Sequence, residues 1–151
     1  MLTKKAKYAL KAALHLARRE AGEAVLIASV AETERIPKKF LESILLTLKN
    51  QGILVSRKGR GGGYALARPA GQISFGEIVR LMDGPLAPVP CVSVTAYRPC
   101  EECPSEAACE IRAVMKRVRD AISEVLDATT LADALRLEAP PGARKSGRLP
   151  R

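Results

Sequence analysis

Cys91, Cys100, Cys103 and Cys109 are all the cysteines this chain has, and they fall within one stretch, CVSVTAYRPCEECPSEAAC, spaced C-x8-C-x2-C-x5-C. Thiolates suit iron–sulfur clusters and zinc, and four of them complete a tetrahedral donor set. C-x2-C is also a zinc spacing, and Cys100 and Cys103 are close enough in sequence to close a reversible disulfide. Pro99 and Pro104 stiffen the segment. Four thiols in a loop rich in proline and glutamate are a poor way to fill a core. Glu101, Glu102, Glu106 and Glu110 read most simply as a solvated acidic face around them. The single histidine, His15, lies 76 positions before Cys91, among leucines and lysines and without a serine or aspartate constellation to act with. No catalytic site is expected.

These thiols need a frame, and composition bounds it. The chain has 151 residues, 47% hydrophobic and 3% aromatic, so a core must be built from Leu, Ile, Val and Ala. The amino-terminal MLTKKAKYALKAAL keeps its charges through Lys11, Arg18 and Arg19, unlike a secretion signal. No window approaches ~18 uninterrupted apolar residues, so no membrane span is expected and the chain reads as cytoplasmic. In that compartment, clustered cysteines are more often metal ligands or reactive thiols than structural disulfides. The net charge of +9 is unevenly distributed. Residues 1–68 carry 14 Lys/Arg against 5 Asp/Glu, residues 69–139 carry 7 against 11, and residues 140–151 carry 4 against none. A basic half joined to an acidic half suggests a polyanion-binding module attached to something else.

From Thr3 to Glu20, Ala9, Ala13, Leu16 and Ala17 draw one apolar stripe and predict a helix that stops at Gly22. Val25–Ile27 is a short β-prone run, and Ala28–Glu34 fits a brief helix. Pro37 suits the first turn of another helix, in which Leu41, Ile44, Leu45 and Leu48 share a face and Gly52 ends the element. Lys38, Lys39, Glu42, Ser43 and Lys49 are left on its outer face. Two short helices joined tightly at Arg35 and Ile36 make a helix-turn-helix candidate. Next come ILVSR at 53–57, the turn KGRGGG, and YALARP halted by Pro69, which together read as a hairpin, or wing. Gly59 and Gly61–Gly63 allow positive φ and a close backbone approach, while Arg57, Lys58 and Arg60 place cations at the tip. Bare backbone beside cations suits a phosphate chain or a narrow minor groove.

Ser74 and Glu77 form a capping-box pattern, with Ile73 and Ile78 at the staple positions and Asp83-Gly84 closing the helix. The segment PLAPVP then leads to the cysteines. Pro104 is expected to start a long helix reaching about Ala128. Ile111, Val114, Val118, Ala121 and Val125 recur every three or four residues along it, a heptad-like seam that needs a partner. A second copy of the chain is the economical choice. Thr130–Glu138 reads as a short final helix.

IPKKFLESILLTLKNQGIL, SRKGRGGGYALARP and the CP-x4-C-x2-R element of Cys103, Pro104, Cys109 and Arg112 resemble the IscR/NsrR-type bacterial regulators, the "Rrf-two" family. The resemblance covers about residues 1–135. It implies a winged-helix transcription factor that dimerises through crossed long helices and reads an imperfect palindrome in double-stranded DNA. By the same resemblance Cys91, Cys103 and Cys109 ligate a [2Fe–2S] or [4Fe–4S] cluster. Lys38, Lys39, Glu42 and Ser43 fall at the start of the recognition helix, where Glu42 can accept a hydrogen bond from a cytosine amine. Two positions depart from the family pattern. Lys58 stands where the wing usually carries arginine, which moves minor-groove readout toward Arg60 or Arg57. The family's fourth, non-cysteine ligand has no counterpart, because no histidine lies near Cys109 and Lys7 stands about where an aspartate serves in one relative. Cys100 is then the candidate fourth ligand.

The expected architecture is mainly α with a small β wing. Residues 1–84 form a winged helix-turn-helix DNA-binding domain and residues 85–103 a Pro/Cys-rich sensor loop. Residues 104–138 hold the dimerisation helix and a short final helix, and residues 139–151 a disordered basic tail. Zinc and a metal-free thiol–disulfide switch stay open as alternatives to the cluster. A thiol redox enzyme or electron carrier is the remote alternative: C-E-E-C lacks βαβ surroundings, and a carrier leaves the basic helix-turn-helix and wing without a purpose.

Overall fold

A helix rich in alanine can be approached closely by its neighbours, and α1 (Lys4–Ala17) is used that way. Ala6, Ala9, Ala12 and Ala13 are fully buried beside Leu10 and Leu16, and α1 touches α2, α3, α4, α6 and β2. The computed structural model describes residues 2–137, so the tail expected at 139–151 lies outside them. Thr3 caps α1, its hydroxyl accepting from the Ala6 N–H at 3.1 Å. The helix ends at Ala17, short of the expected Glu20, where Arg19 N–H turns to the Leu16 carbonyl and tightens the last turn.

Helix α2 (Ile27–Glu34) closes through Arg35, held in the left-handed region at φ 55°, and Ile36 N–H, which donates to the Ala31 carbonyl at 2.9 Å. Helix α3 (Lys38–Asn50) follows Pro37 and buries Leu41, Ile44, Leu45 and Leu48 completely. The wing is β1 (Leu54–Arg57) antiparallel to β2 (Gly63–Leu66), in the register Leu54 to Leu66 through Arg57 to Gly63. The β-prone run at Val25–Ile27 contributes one bridge. Val25 and Tyr64 exchange two backbone hydrogen bonds of 2.8 and 2.9 Å, which dock the wing on the loop between α1 and α2.

Helix α4 (Phe75–Asp83) begins at Ser74, whose hydroxyl accepts from Glu77 N–H at 3.1 Å, and the staple residues Ile73 and Ile78 are both fully buried. Only half of the expected capping box forms, because the Glu77 carboxylate pairs with Arg68 at 2.5 Å. The complete box is at Thr130 and Asp133, ahead of α6 (Leu131–Arg136).

The long helix α5 runs Glu110–Ala128 and does not start at Pro104. Residues 104–108 stay in bends and a turn, and Cys109 is the cap: its backbone is extended and its sulfur accepts from Arg112 N–H at 3.4 Å. The short final helix forms and is tied to the first half of the chain by backbone hydrogen bonds. Phe75 N–H donates to Thr129 and Leu131 N–H to Ile73, both at 2.9 Å, and Leu131 is fully buried. Helix α6 therefore packs back on α1 and completes the core of the winged domain. Arg112, Met115, Arg119, Ser123 and Leu126 mark the half-buried face of α5 toward its own chain. Ile111, Val114, Val118 and Val125 stay 68, 52, 38 and 64% exposed on another face. Among the described residues, no helix is long and apolar enough to cross a membrane.

Candidate functional site

Because α3 buries one face so fully, its other face is set. Lys39, Glu42, Ser43, Leu46, Lys49 and Asn50 follow one another at helical spacing along the outside, with Lys38 at the amino end. Ser43 turns its hydroxyl back to the Phe40 carbonyl at 2.9 Å, and Thr47 does the same to Ser43 at 3.0 Å. Phe40 meets Tyr8 edge-on, ring centroids 5.6 Å apart, which fixes the amino end of α3 against α1. Leu46 escaped the sequence reading. The signal was there, since it lies four residues after Glu42 and out of phase with the buried set.

At the wing tip Lys58 and Arg60 are exposed, and Gly59 and Gly61 take φ of 87° and 68° with open space around them. The other two glycines serve the chain itself. A Cβ on Gly62 would lie 2.5 Å from the Arg57 carbonyl, and one on Gly63 2.2 Å from the Val25 carbonyl. Arg57 is exposed but turns away from the tip. Its guanidinium lies 3.3 Å from where a Gly22 Cβ would stand, in a shallow groove beside Glu23 and Val55.

The four cysteines do come together: all of them line one open cavity of about 570 Å³ at the amino end of α5. Cys91, Cys103 and Cys109 are half-buried, Cys100 is exposed, and each is a free thiol. Pro90 starts a short 3-10 turn carrying Cys91, and Arg119 from α5 pins it by donating to the Val92 carbonyl at 2.6 Å. Cys103 N–H donates to the Cys100 carbonyl at 3.2 Å, making C-E-E-C a turn. Tyr97 donates its hydroxyl proton to Glu106, a bond that raises the phenol above its ordinary pKa. The same carboxylate lies 3.6 Å from Arg112 Nε, so Glu106 ties both flanks of the cysteines together.

That distance is too long for a hydrogen bond, and Arg112 Nε is buried with no hydrogen-bond partner. A buried donor without a hydrogen-bond partner, on a residue that lines the cavity, suits an acceptor held there. Among the described residues no three His, Cys, Asp or Glu side chains converge to hold a single ion. An iron–sulfur cluster is a larger body whose thiolates are shared among two or four irons, so its ligands need not converge on one point. Four thiols, an unpaired N–H and the volume of the cavity fit such a group. His15 belongs elsewhere: it is 5% exposed and shares its Nδ1 with Glu34 at 2.9 Å, bridging α1 and α2. Lys7 is exposed on α1 and does not line the cavity.

The sequence profile of Rrf2, described as iron-dependent transcriptional regulators, matches residues 2–136. The chain belongs to the Rrf2 family. An rrf2-like HTH-type transcriptional regulator of Rhodobacter capsulatus is 46% identical over 138 residues, covering 89% of this chain and 92% of that one. CymR of Bacillus subtilis, described as a global cysteine regulator, has a solved structure 31% identical to this chain. The two superpose with a TM-score of 0.75 over 92% of this chain and 98% of CymR. IscR of T. potens matches with a TM-score of 0.74 at 27% identity, over 97% and 93% of the two chains. This Rrf2 protein is therefore a winged-helix, DNA-binding transcriptional regulator.

Proposed function

We propose that the chain works as a homodimeric, redox- or iron–sulfur-responsive regulator whose four-thiol cavity holds an iron–sulfur cluster and whose paired heads read an imperfect palindrome. The observation that carries this reading is the convergence of Cys91, Cys100, Cys103 and Cys109 on one cavity at the start of α5. Cys91, Cys103 and Cys109 would hold the group, and Cys100 would supply the fourth thiolate that the family pattern leaves open. The cluster would supply a centre whose oxidation state and integrity answer to oxidants, nitric oxide or iron supply.

The chain's own residues supply the coupling. Cys109 caps α5, so a ligand there fixes the first turn of that helix. Arg119 links α5 to the loop carrying Cys91, and Arg80 and Asp127 link it to α4. A change at the thiols is thus delivered to a helix that touches the DNA-reading domain. The exposed seam of Ile111, Val114, Val118 and Val125 favours a second copy as its cover.

The test is anaerobic purification followed by absorbance, iron and acid-labile sulfide on one sample. A brown protein absorbing near ~400 nm, with iron and sulfide together, supports the reading. Loss of iron in Cys91→Ala, Cys103→Ala and Cys109→Ala assigns the ligands, and Cys100→Ala tests the fourth. One observation favours a second reading: the turn that joins Cys100 to Cys103 places two free thiols in one tight loop, suited to a disulfide switch. A colourless protein that refuses reconstitution but shifts its DNA affinity with oxidant moves the function there. Stoichiometric zinc without colour would make the loop a structural clamp.

A further inference from the structure

Leu46 stands in the middle of the outward face of α3, half exposed at 50%, with Glu42 and Ser43 one turn before it and Lys49 and Asn50 one turn after. Its neighbours on that face are all polar, and Leu41, Ile44, Leu45 and Leu48 already fill the core side completely. A leucine here adds nothing to the interior and leaves apolar surface in water. A lone exposed leucine is ordinary on most surfaces. This one is placed on the face of a recognition helix, between cations that would meet phosphate.

In a major groove the available apolar feature is the 5-methyl group of thymine; the other base edges there are hydrogen-bond donors and acceptors. We infer that Leu46 is a specificity residue that packs against a thymine methyl, so that α3 reads a thymine in addition to whatever Glu42 selects. The inference rests on α3 lying in the major groove. Helical rise sets its register. Four residues advance about 6 Å along α3, less than two steps of about 3.4 Å in the duplex. The thymine therefore lies within about two base pairs of the pair met by Glu42, once in each half-site.

The experiment uses the full-length protein and a duplex enriched by it from a random pool. Each thymine of that duplex is replaced in turn by deoxyuridine, which removes the methyl and nothing else. Affinity is measured for wild type, Leu46→Ala and Leu46→Met. One replacement per half-site should weaken wild-type binding about fourfold, the worth of one buried methyl. Leu46→Ala should bind the thymine and deoxyuridine duplexes alike, and Leu46→Met should keep most of the preference. Wild type indifferent to every replacement, or Leu46→Ala still sensitive at the same position, overturns the inference while leaving sequence-specific binding intact. Failure to enrich any duplex would bring down major-groove reading by α3, and the role of Leu46 with it.

Discussion

Arg80 on α4 and Asp127 on α5 meet through two hydrogen bonds, 2.5 and 2.8 Å long. The hydrogen bond from Arg80 is the largest influence on the Asp127 carboxyl and holds it below its ordinary range; burial opposes this and the arginine charge adds to it. A depressed carboxylate stabilises the folded state above its unfolded pKa, and that stabilisation disappears as pH falls through the folded value. Both side chains are more than a third exposed, so the contribution is discounted to about 1 kcal/mol or less. Asp127→Asn should lower urea stability by that amount at neutral pH. The gap between the two proteins should close below about pH 4. A gap that persists at low pH would show that the asparagine acts through packing instead of charge.

Gly76 makes room for this pair. A Cβ there would stand 1.9 Å from Asp127 Oδ1, so Gly76→Ala should break the contact despite the better helix propensity of alanine. Combined with Asp127→Ala, the same substitution should cost far less, a coupling readable in a double-mutant cycle of thermal melts.

Gly63→Ala tests the docking of the wing. Its φ of 136° and the Val25 carbonyl 2.2 Å from the new Cβ predict a loss of about 1–3 kcal/mol. Gly59→Ala, with open space around it, should cost less. Chemical-denaturation midpoints for the two variants decide the order.

On α3, Lys38→Ala should weaken binding on every duplex and reduce the slope of log affinity against log salt by about 1, the mark of one phosphate contact. Glu42→Ala should instead flatten sequence preference. Competition binding at several salt concentrations separates the two, and equal behaviour on all duplexes would dissolve the distinction.

Val118→Asp places a charge in the exposed seam of α5 without touching the buried core. Sedimentation should show a shift from dimer to monomer with the monomer still folded. A variant that sediments like wild type would move the subunit contact to another surface.

Much of this was legible in the residues because local rules and tertiary packing agree. The apolar spacing of Leu41 to Leu48 announced α3, and Gly52 and Gly84 marked helix ends that hold, each with positive φ. The reading slipped where a side chain had two eligible partners. Pro104 can open a helix, but Cys109 offers a sulfur to the Arg112 N–H and takes the cap five residues later. Glu77 could complete a capping box, yet Arg68 holds it. Arg57 belongs to the tip by sequence, but its long side chain reaches back to Gly22. The destination of α6 was invisible for a different reason. Only a contact spanning almost sixty residues, Ile73 to Leu131, reveals that the chain returns to its first domain.

That return gives α5 a mechanical character. Its carboxyl end is clamped by Leu131 and the strand-like bridge between Ser74 and Thr130, while its amino end is capped by Cys109 beside the other thiols. Under the proposed function the helix would be a lever with its pivot in the winged domain and its handle at Cys109. Its 19 residues span about 28 Å, so a displacement of about 1 Å at the handle turns the pivot by about 2°. Such gearing would convert a coarse chemical event into a fine adjustment of angle. Two heads bolted together along their levers would then register that event as a change in the pitch between them.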